Sequence, residues 1–312
     1  RSRVSRVWEI TCEKRGVYEM EHIVLVTSDL LGIVRLSLHA ADHGEKLTVL
    51  PKRLTEAGLL SSRRDGLWVF YSSVKEGEGA AFLKAAMPFL DEDAEMRADV
   101  EMAARIIEDR ALKTRQFFNT IAEHWDTLSR EVLGGFDLAG AVCDTMPEGC
   151  DTSVDLGCGT GIVLERMRGR ARQIIGVDGS PRMLELSRRR LAGVEGEPEG
   201  VSLRIGELSH LPLRDCEADF ASINMVLHHL SNPENALAEI RRVLRSGGLL
   251  VVADFDRHTQ ERMRLDYGDL WLGFDEATMA RLLHAASFEV VSTTRYPVEQ
   301  GLALNLTLAR RL

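Results

Sequence analysis

The segment 154–161, VDLGCGTG, joins an acidic residue to three closely spaced glycines. Its apolar start predicts the end of a buried strand, and its glycines predict a tight turn whose backbone can approach a ligand closely. A dinucleotide-binding fingerprint needs a further glycine where Ile162 stands, so the spacing disfavours a nicotinamide cofactor. The segment also lacks the Gly-Lys-Ser/Thr ending of a phosphate-binding loop. The turn, with Asp155 beside it, therefore remains a general nucleotide-binding signal.

Strands and helices alternate from this turn towards the end of the chain, which predicts a parallel sheet with helices on both faces. After the strand that enters the turn, we expect strands at 173–177, 201–205, 220–224, 249–254, 288–295 and 302–309. We expect helices at 136–145, 181–191, 232–244 and 275–286. The last two strands can pair as an antiparallel edge. The fold class is therefore α/β, a doubly wound, mostly parallel, seven-stranded Rossmann-like sheet, with ligands at the carboxyl ends of its strands.

An acid followed by this glycine spacing resembles the class I S-adenosylmethionine-dependent methyltransferases, over roughly residues 117–312. The resemblance implies S-adenosylmethionine or S-adenosylhomocysteine as the ligand. Asp178, in IIGVDGSPRML, would accept the ribose hydroxyls, and Met183 would lie against the adenine. Glu207, in RIGELSHLPL, stands where the family usually has Asp and would accept the adenine amino hydrogens.

The resemblance assigns further residues to the same ligand. Asn224 would lie beside the methionine moiety, Asp155 would orient its amino group, and the Leu208 amide would face a ring nitrogen. Trp125, in a segment that resembles the helix capping the ligand pocket of many methyltransferases, would face the nucleoside. The complete expected set is Asp155, Gly157, Cys158, Gly159, Asp178, Gly179, Met183, Glu207, Leu208, Asn224 and Trp125.

Each of these residues also has a simpler interpretation. Asp178 can cap a helix, Glu207 can be a surface acid and Met183 can belong to the core. Agreement of several positions in the correct order favours the nucleoside site.

The pair His228 and His229, in NMVLHHLSNP, follows the fourth strand, where substrate often enters this family. Either histidine could act as a base, since histidine titrates near neutral pH. A structural role at a helix start is the alternative, because methyl transfer to a good nucleophile needs only alignment. No metal-ligand spacing accompanies the pair, so no metal is expected. The five cysteines are scattered and are expected to be reduced thiols.

The segment 47–73 resembles the wing and the end of the recognition helix in ArsR-type winged-helix regulators. Asp-Gly at 65–66 predicts a hairpin turn between strands 59–62 and 67–71. Arg63 and Arg64 near its tip, with Lys52 and Arg53, are candidate contacts to duplex DNA. A solvated surface turn is the alternative. Pro51 interrupts the expected recognition helix.

The middle of the chain is expected to be helical. A short helix at 80–90 precedes a long one over 95–129 that carries a heptad-like apolar stripe. This stripe could be the seam of a homodimer, or the helix could lie along its own domain. The resulting division is a small α+β winged-helix-like domain at 1–75, a helical linker and pocket cap at 76–133, and the methyltransferase domain at 134–312.

Composition describes a globular protein that does not span a membrane. The 312 residues are 45% hydrophobic and 28% charged, and no apolar run is long enough to cross a bilayer. No export signal is visible, so we expect a cytoplasmic location. Net charge is −9, although the first 75 residues carry 12 basic against 9 acidic residues, which allows a DNA contact at that end.

Two functions follow from these patterns. The fused wing favours a transcription regulator whose methyltransferase-fold domain binds S-adenosylmethionine or S-adenosylhomocysteine as a signal, as in ArsR-type regulators associated with control of the methionine cycle. The intact pocket and the interrupted recognition helix favour an enzyme that methylates a small molecule. The regulator is the main expectation and the enzyme the alternative.

Overall fold

The structure is a computed structural model, and it describes residues 17–20, 23–28, 33–38, 55, 57–65, 68–90, 94–192 and 200–312. The chain divides into two compact units, Arg1–Arg105 and Ile106–Leu312. Of the expected DNA contacts, Lys52 and Arg53 lie outside the described residues, as does Pro51.

The first unit contains short antiparallel sheets. Strands β1 (Val17–Met20), β2 (Ile23–Ser28) and β3 (Ile33–Leu38) form one sheet, and β4 (Leu60–Asp65) and β5 (Trp68–Ser73) form a hairpin. The hairpin was predicted, although both strands extend further than expected. Arg63 and Arg64 pair with Phe70 and Val69, just before the last strand pair at Asp65 and Trp68. The winged-helix interpretation stays a prediction.

Two helices follow, α1 (Gly77–Leu90) and α2 (Ala94–Ile121). The prediction of one continuous helix over 95–129 is wrong: α2 ends at Ile121, a 3₁₀ turn covers Ala122–His124, and α3 runs over Trp125–Leu133. Asn119 and Asp126 lie on opposite sides of this turn, and each bonds a different loop of the sheet. Tertiary bonds on both sides of the break thus compete with a straight helix.

The second unit is built on a seven-stranded sheet, as predicted. Its strands are β6 (Cys150–Leu156), β7 (Ala171–Asp178), β8 (Val201–Ile205), β9 (Ala218–Asn224), β10 (Leu244–Phe255), β11 (Phe288–Pro297) and β12 (Ala303–Arg311). The strand order is β11-β12-β10-β9-β6-β7-β8. Strand β12 runs antiparallel to both its neighbours, whereas the pairs from β10 to β8 are parallel.

Six helices connect these strands or lead into them. They are α4 (Leu138–Cys143), α5 (Ile162–Met167), α6 (Pro181–Ala192), α7 (Pro233–Val243), α8 (Arg262–Asp266) and α9 (Glu276–Ala285). The Asn232 side chain caps α7 as predicted. Helix α4 is shorter than the predicted 136–145 because Asp137 caps it. Helix α7 ends one residue before the predicted end at residue 244, and the Ser-Gly-Gly of 246–248 forms an irregularity within β10.

The core lies on both faces of the sheet. On one face, fully buried Leu237 and Ile240 of α7 pack with strand residues that include Leu156. On the other face, Leu164 and Met167 of α5 pack with the opposite side chains of the same strands. Each such side chain stabilises the fold by about 1.5–3 kcal/mol. Among the described residues, no helix combines the length and apolar character needed to cross a membrane.

Candidate functional site

The glycine turn after β6 folds its backbone over the end of β7. The amides of Gly157 and Cys158 both donate to the Val177 carbonyl, at 2.8 and 3.0 Å. Gly157 has φ of +69°, and a Cβ at this position would lie 2.5 Å from a Val226 methyl carbon. Only glycine therefore fits here, because a side chain would be strained and would clash.

Asp178, at the end of β7, is held by the same turn and by the following loop. One carboxylate oxygen accepts the Gly159 amide and the other accepts the Ser180 amide, each at 2.8 Å. Burial raises the pKa of this carboxyl, and the two amide bonds partly offset that effect. A carboxylate can accept about four hydrogen bonds. Asp178 is therefore fixed in position by the Gly159 and Ser180 amides, and its oxygens can still accept hydrogen bonds from ligand hydroxyls.

Buried acceptors lie at the ends of β6 and β9. Asp155 accepts the Ser222 hydroxyl at 2.6 Å and the Asn224 side-chain amide at 3.1 Å. Burial raises the pKa of Asp155 to about 7, against the lowering effect of those two bonds. The Asn224 side-chain oxygen is buried and has no hydrogen-bond partner among the described residues. Together these groups fit a ligand that brings a hydrogen-bond donor, such as an amino group.

The residues expected around the adenine differ in exposure. Met183 is fully buried, and its backbone amide donates to the Ser180 hydroxyl oxygen at 3.1 Å. The Glu207 side chain is 55% exposed, and one of its oxygens lies 3.3 Å from an Arg115 guanidinium nitrogen. Glu207 is thus a half-exposed acid in an ion pair as well as a wall residue of the cavity.

Sequence reasoning missed three polar residues of the capping segment. The Asn119 side-chain oxygen accepts the Ser180 hydroxyl at 2.5 Å, and Asp126 accepts the Thr160 hydroxyl at 2.6 Å. Arg115 pairs with Glu207. These bonds connect the capping helices to the loops after β6, β7 and β8. The signal was the segment RQFFNTIAEHWD, from which only Trp125 was selected.

All these groups meet in one cavity of about 710 Å³. It is lined by every residue expected to bind the cofactor: Asp155, Gly157, Cys158, Gly159, Asp178, Gly179, Met183, Glu207, Leu208, Asn224 and Trp125. Its apolar wall includes Phe118, Leu133, Phe136, Leu138, Met225 and Leu230. The volume is within the range of about 300–1,000 Å³ for small-molecule sites. The structure thus brings the predicted set together, while the binding role of each residue stays a prediction.

The two histidines occupy different environments. His228 is buried, and its Nδ1 lies 2.6 Å from an Asp254 oxygen. Burial lowers the pKa of His228, but the negative charges of Asp254 and Asp269 outweigh it and raise the pKa to about 9. This histidine is therefore held in position by a buried carboxylate.

His229 lies on the cavity wall. Its ring packs edge-to-face with Phe118 at a centroid distance of 4.9 Å, and Phe118 packs in the same way with Trp125 at 5.3 Å. Burial, together with the charge of His228, lowers the pKa of His229 well below its usual value. Of the two catalytic candidates, only His229 is placed beside the cavity.

The fold and the site can be compared with known proteins. Residues 154–252 match the family described as a methyltransferase domain. The matched segment begins in β6, just before the glycine turn, and ends within β10. The chain therefore contains a class I S-adenosylmethionine-dependent methyltransferase domain.

Several known proteins are similar to this chain in sequence or structure. A demethylmenaquinone methyltransferase from Desulfitobacterium hafniense is 28% identical over 212 residues, covering 62% of this chain and 80% of that protein. An uncharacterized 37.1 kDa transposon protein from Streptomyces fradiae is 37% identical over 123 residues, covering 38% of this chain. This chain spans only 34% of the Streptomyces protein's length. The crystal structure of the [4+2]-cyclase SpnF matches with a TM-score of 0.55 at 19% identity, over 63% of this chain and 94% of SpnF, which shows a shared fold.

Proposed function

We propose that this chain transfers the methyl group of S-adenosylmethionine to a small-molecule acceptor. The observation that carries the proposal is the single cavity in which the glycine turn, the buried acceptors Asp155 and Asn224, and an extended apolar wall all meet. Such a cavity has room for a nucleoside cofactor and for a second, apolar molecule.

The chain's own residues fit the cofactor. The bare backbone at Gly157 allows close approach, and Asp178 would accept the ribose hydroxyls from a position fixed by two amides. Asp155 and the side-chain oxygen of Asn224 would accept hydrogen bonds from the amino group of the methionine part. When bound, S-adenosylmethionine supplies an electrophilic methyl group on a sulfonium centre.

The acceptor would bind along the apolar wall. This wall consists of the rings of Phe118 and Trp125 and of neighbouring aliphatic side chains. It therefore provides few polar groups that could bind a highly charged molecule. Exclusion of water and alignment of the acceptor with the methyl group are the contributions this wall can make to the rate. The name of the Desulfitobacterium hafniense relative, a demethylmenaquinone methyltransferase, supports an apolar, quinol-like acceptor.

The enzyme replaces the regulator as the proposed function. The comparisons match the methyltransferase domain and lend no support to the ArsR-type regulator, which was the main expectation from the sequence. DNA binding, dimerisation and a cytoplasmic location stay predictions.

Calorimetry with S-adenosylhomocysteine and turnover of methyl-labelled S-adenosylmethionine with a set of quinols and phenols test the proposal. Asp178→Ala should weaken S-adenosylhomocysteine binding at least about 100-fold, since two hydrogen bonds to a charged group are lost. Asp144→Ala, at a 75% exposed side chain, is the matched control and should bind normally. Unchanged affinity of Asp178→Ala, or wild-type protein that binds neither adenosyl compound, would refute the proposed site.

A further inference from the structure

The buried carboxylate of Asp269 lies beside the histidine pair. Asp269 is 3% exposed, and within the part of the chain that the structure describes neither of its side-chain oxygens has a hydrogen-bond partner. The His229 Nε2 atom is likewise buried and unpartnered among those residues. Leaving such groups without hydrogen bonds is costly in a protein interior, and a bound cation that replaces the proton of His228 would satisfy them.

The two histidines face this carboxylate. His228 Nε2 lies 3.6 Å from an Asp269 oxygen, and His229 Nδ1 lies 3.8 Å from the same oxygen. One ligand atom from each of the three residues lies within 4.8 Å of the other two. Ligands around a tetrahedral zinc ion, at about 2.0–2.2 Å from the metal, are separated by roughly 3.3–3.5 Å. The two contacts to Asp269 exceed this separation by a few tenths of an ångström and the third is no longer than 4.8 Å, so binding one ion requires the side chains to move closer together.

The second contact of His228 matches that of a metal ligand. A histidine that binds a metal usually donates its other ring N–H to a carboxylate or a backbone carbonyl. His228 Nδ1 lies 2.6 Å from Asp254. For His228 this contact fixes the ring with Nε2 directed towards Asp269. The His229 nitrogen that lies 3.8 Å from Asp269 is Nδ1, which is also 3.3 Å from the Gly268 carbonyl, so a metal ion bound through Nδ1 would replace that contact.

Backbone bonds hold the two ligand-bearing segments together. The amides of Leu270 and Trp271 both donate to the His228 carbonyl at 2.9 Å, and the Trp271 indole donates to the Leu230 carbonyl at 2.8 Å. The loop that carries Asp269 is therefore docked on the turn that carries the histidines. Its position does not depend on an ion, so the three ligands are preorganised.

We propose that His228, His229 and Asp269 bind a divalent transition-metal ion of the zinc type. Two imidazoles and one carboxylate suit such an ion, whereas Mg²⁺ and Ca²⁺ prefer sites made only of oxygen ligands. The ion would neutralise Asp269 and link it to His229 on the wall of the cavity. Sequence patterns do not indicate this site, because Asp269 lies about forty residues after the histidines and no ligand spacing is visible.

Metal analysis of the purified full-length chain tests this site. The chain would be dialysed against a chelator, and Co²⁺ and Zn²⁺ would then be added separately. We expect about one equivalent of Co²⁺ to bind with the visible absorption of a histidine-ligated ion, and Zn²⁺ to displace it. Asp269→Asn and His228→Gln should weaken binding by at least about 10-fold. Asp266→Asn is the matched control, because this nearby Asp is exposed and pairs with Arg262 instead.

S-adenosylhomocysteine calorimetry on the same samples keeps the outcomes separate. A variant that retains adenosyl binding and loses Co²⁺ absorption supports the metal site, and adenosyl binding by itself reports on the proposed function. Wild-type protein without a Co²⁺ signal would overturn the metal site and leave His228 and Asp269 as a buried ion pair. Equal Co²⁺ binding by wild type and Asp269→Asn would overturn it as well.

Discussion

Asn224 donates its side-chain amide to Asp155 at 3.1 Å, and its side-chain oxygen is a buried acceptor that has no partner in the described part of the chain. The two residues end neighbouring parallel strands, β9 and β6, so the sheet itself sets their separation. A ligand amino group placed between them would satisfy the Asn224 oxygen and stabilise the charged form of Asp155. This relationship makes ligand binding sensitive to pH.

Adenosyl binding should release a proton below pH 7. The pKa of Asp155 is about 7 in the protein alone, so at pH 6 the carboxyl is mostly protonated. A bound amino group favours the ionised form and expels that proton. Calorimetry at pH 6 in two buffers with different ionisation enthalpies should show release of about one proton. Asp155→Asn should abolish the release; buffer-independent heats in the wild type would contradict the assignment.

The Asp155 carboxyl should also make the free energy of unfolding depend on pH, because its protonated form favours the folded state. Its pKa is raised in the folded state relative to the unfolded chain, so its contribution is fully present below about pH 4 and is lost as pH rises towards 7. In Asp155→Asn this loss should be absent. Urea unfolding of both proteins from pH 4 to pH 8 measures the difference, and parallel pH profiles would exclude a protonated Asp155.

The glycine turn should tolerate no side chain at position 157. Gly157→Ala adds a Cβ that would clash with a Val226 methyl group at 2.5 Å, and it also strains a backbone with φ of +69°. We expect a loss of roughly 1–3 kcal/mol in the free energy of unfolding and weaker S-adenosylhomocysteine binding. Gly149→Ala is a matched control, since Gly149 has the same φ of +69° but nothing within 4 Å of the added carbon. Gly149→Ala should have similar backbone strain and bind S-adenosylhomocysteine with normal affinity. Equal losses of affinity in the two variants would argue against a local clash at Gly157.

The sheet and the glycine turn could be predicted because their signals are local. Apolar runs mark each strand, and the acid-glycine spacing of 155–161 marks the turn. The break between α2 and α3 could not, because it depends on contacts such as that of Asn119 with Ser180, 61 residues away. The orientation of the His228 ring likewise depends on a contact with Asp254, 26 residues further along the chain. Sequence patterns identify residue types at strand ends, but only folding shows which of them meet.

The link between Thr160 and Asp126 should hold the capping helix α3 on the cavity. The Thr160 hydroxyl donates to the Asp126 carboxylate at 2.6 Å, and Asp126 also pairs with Arg190. Thr160→Val keeps the shape of the side chain and removes this donor, so we expect a loss of about 1–3 kcal/mol in the free energy of unfolding. Helix α3 carries the cavity residue Trp125, so S-adenosylhomocysteine affinity should fall too.

Hydrogen exchange of α3 distinguishes a local loosening from a general loss of stability. In Thr160→Val, the amides of residues 125–133 should exchange faster while those of the core strand β6 change only in proportion to global stability. Thr145→Val is the control, because the Thr145 hydroxyl donates only to the Val142 carbonyl at the end of α4. Uniformly faster exchange in Thr160→Val, or unchanged exchange in α3, would show that this bond does not fasten the capping helix. Selective exchange in α3 together with weaker adenosyl binding would show that the cap contributes to the cofactor side of the cavity.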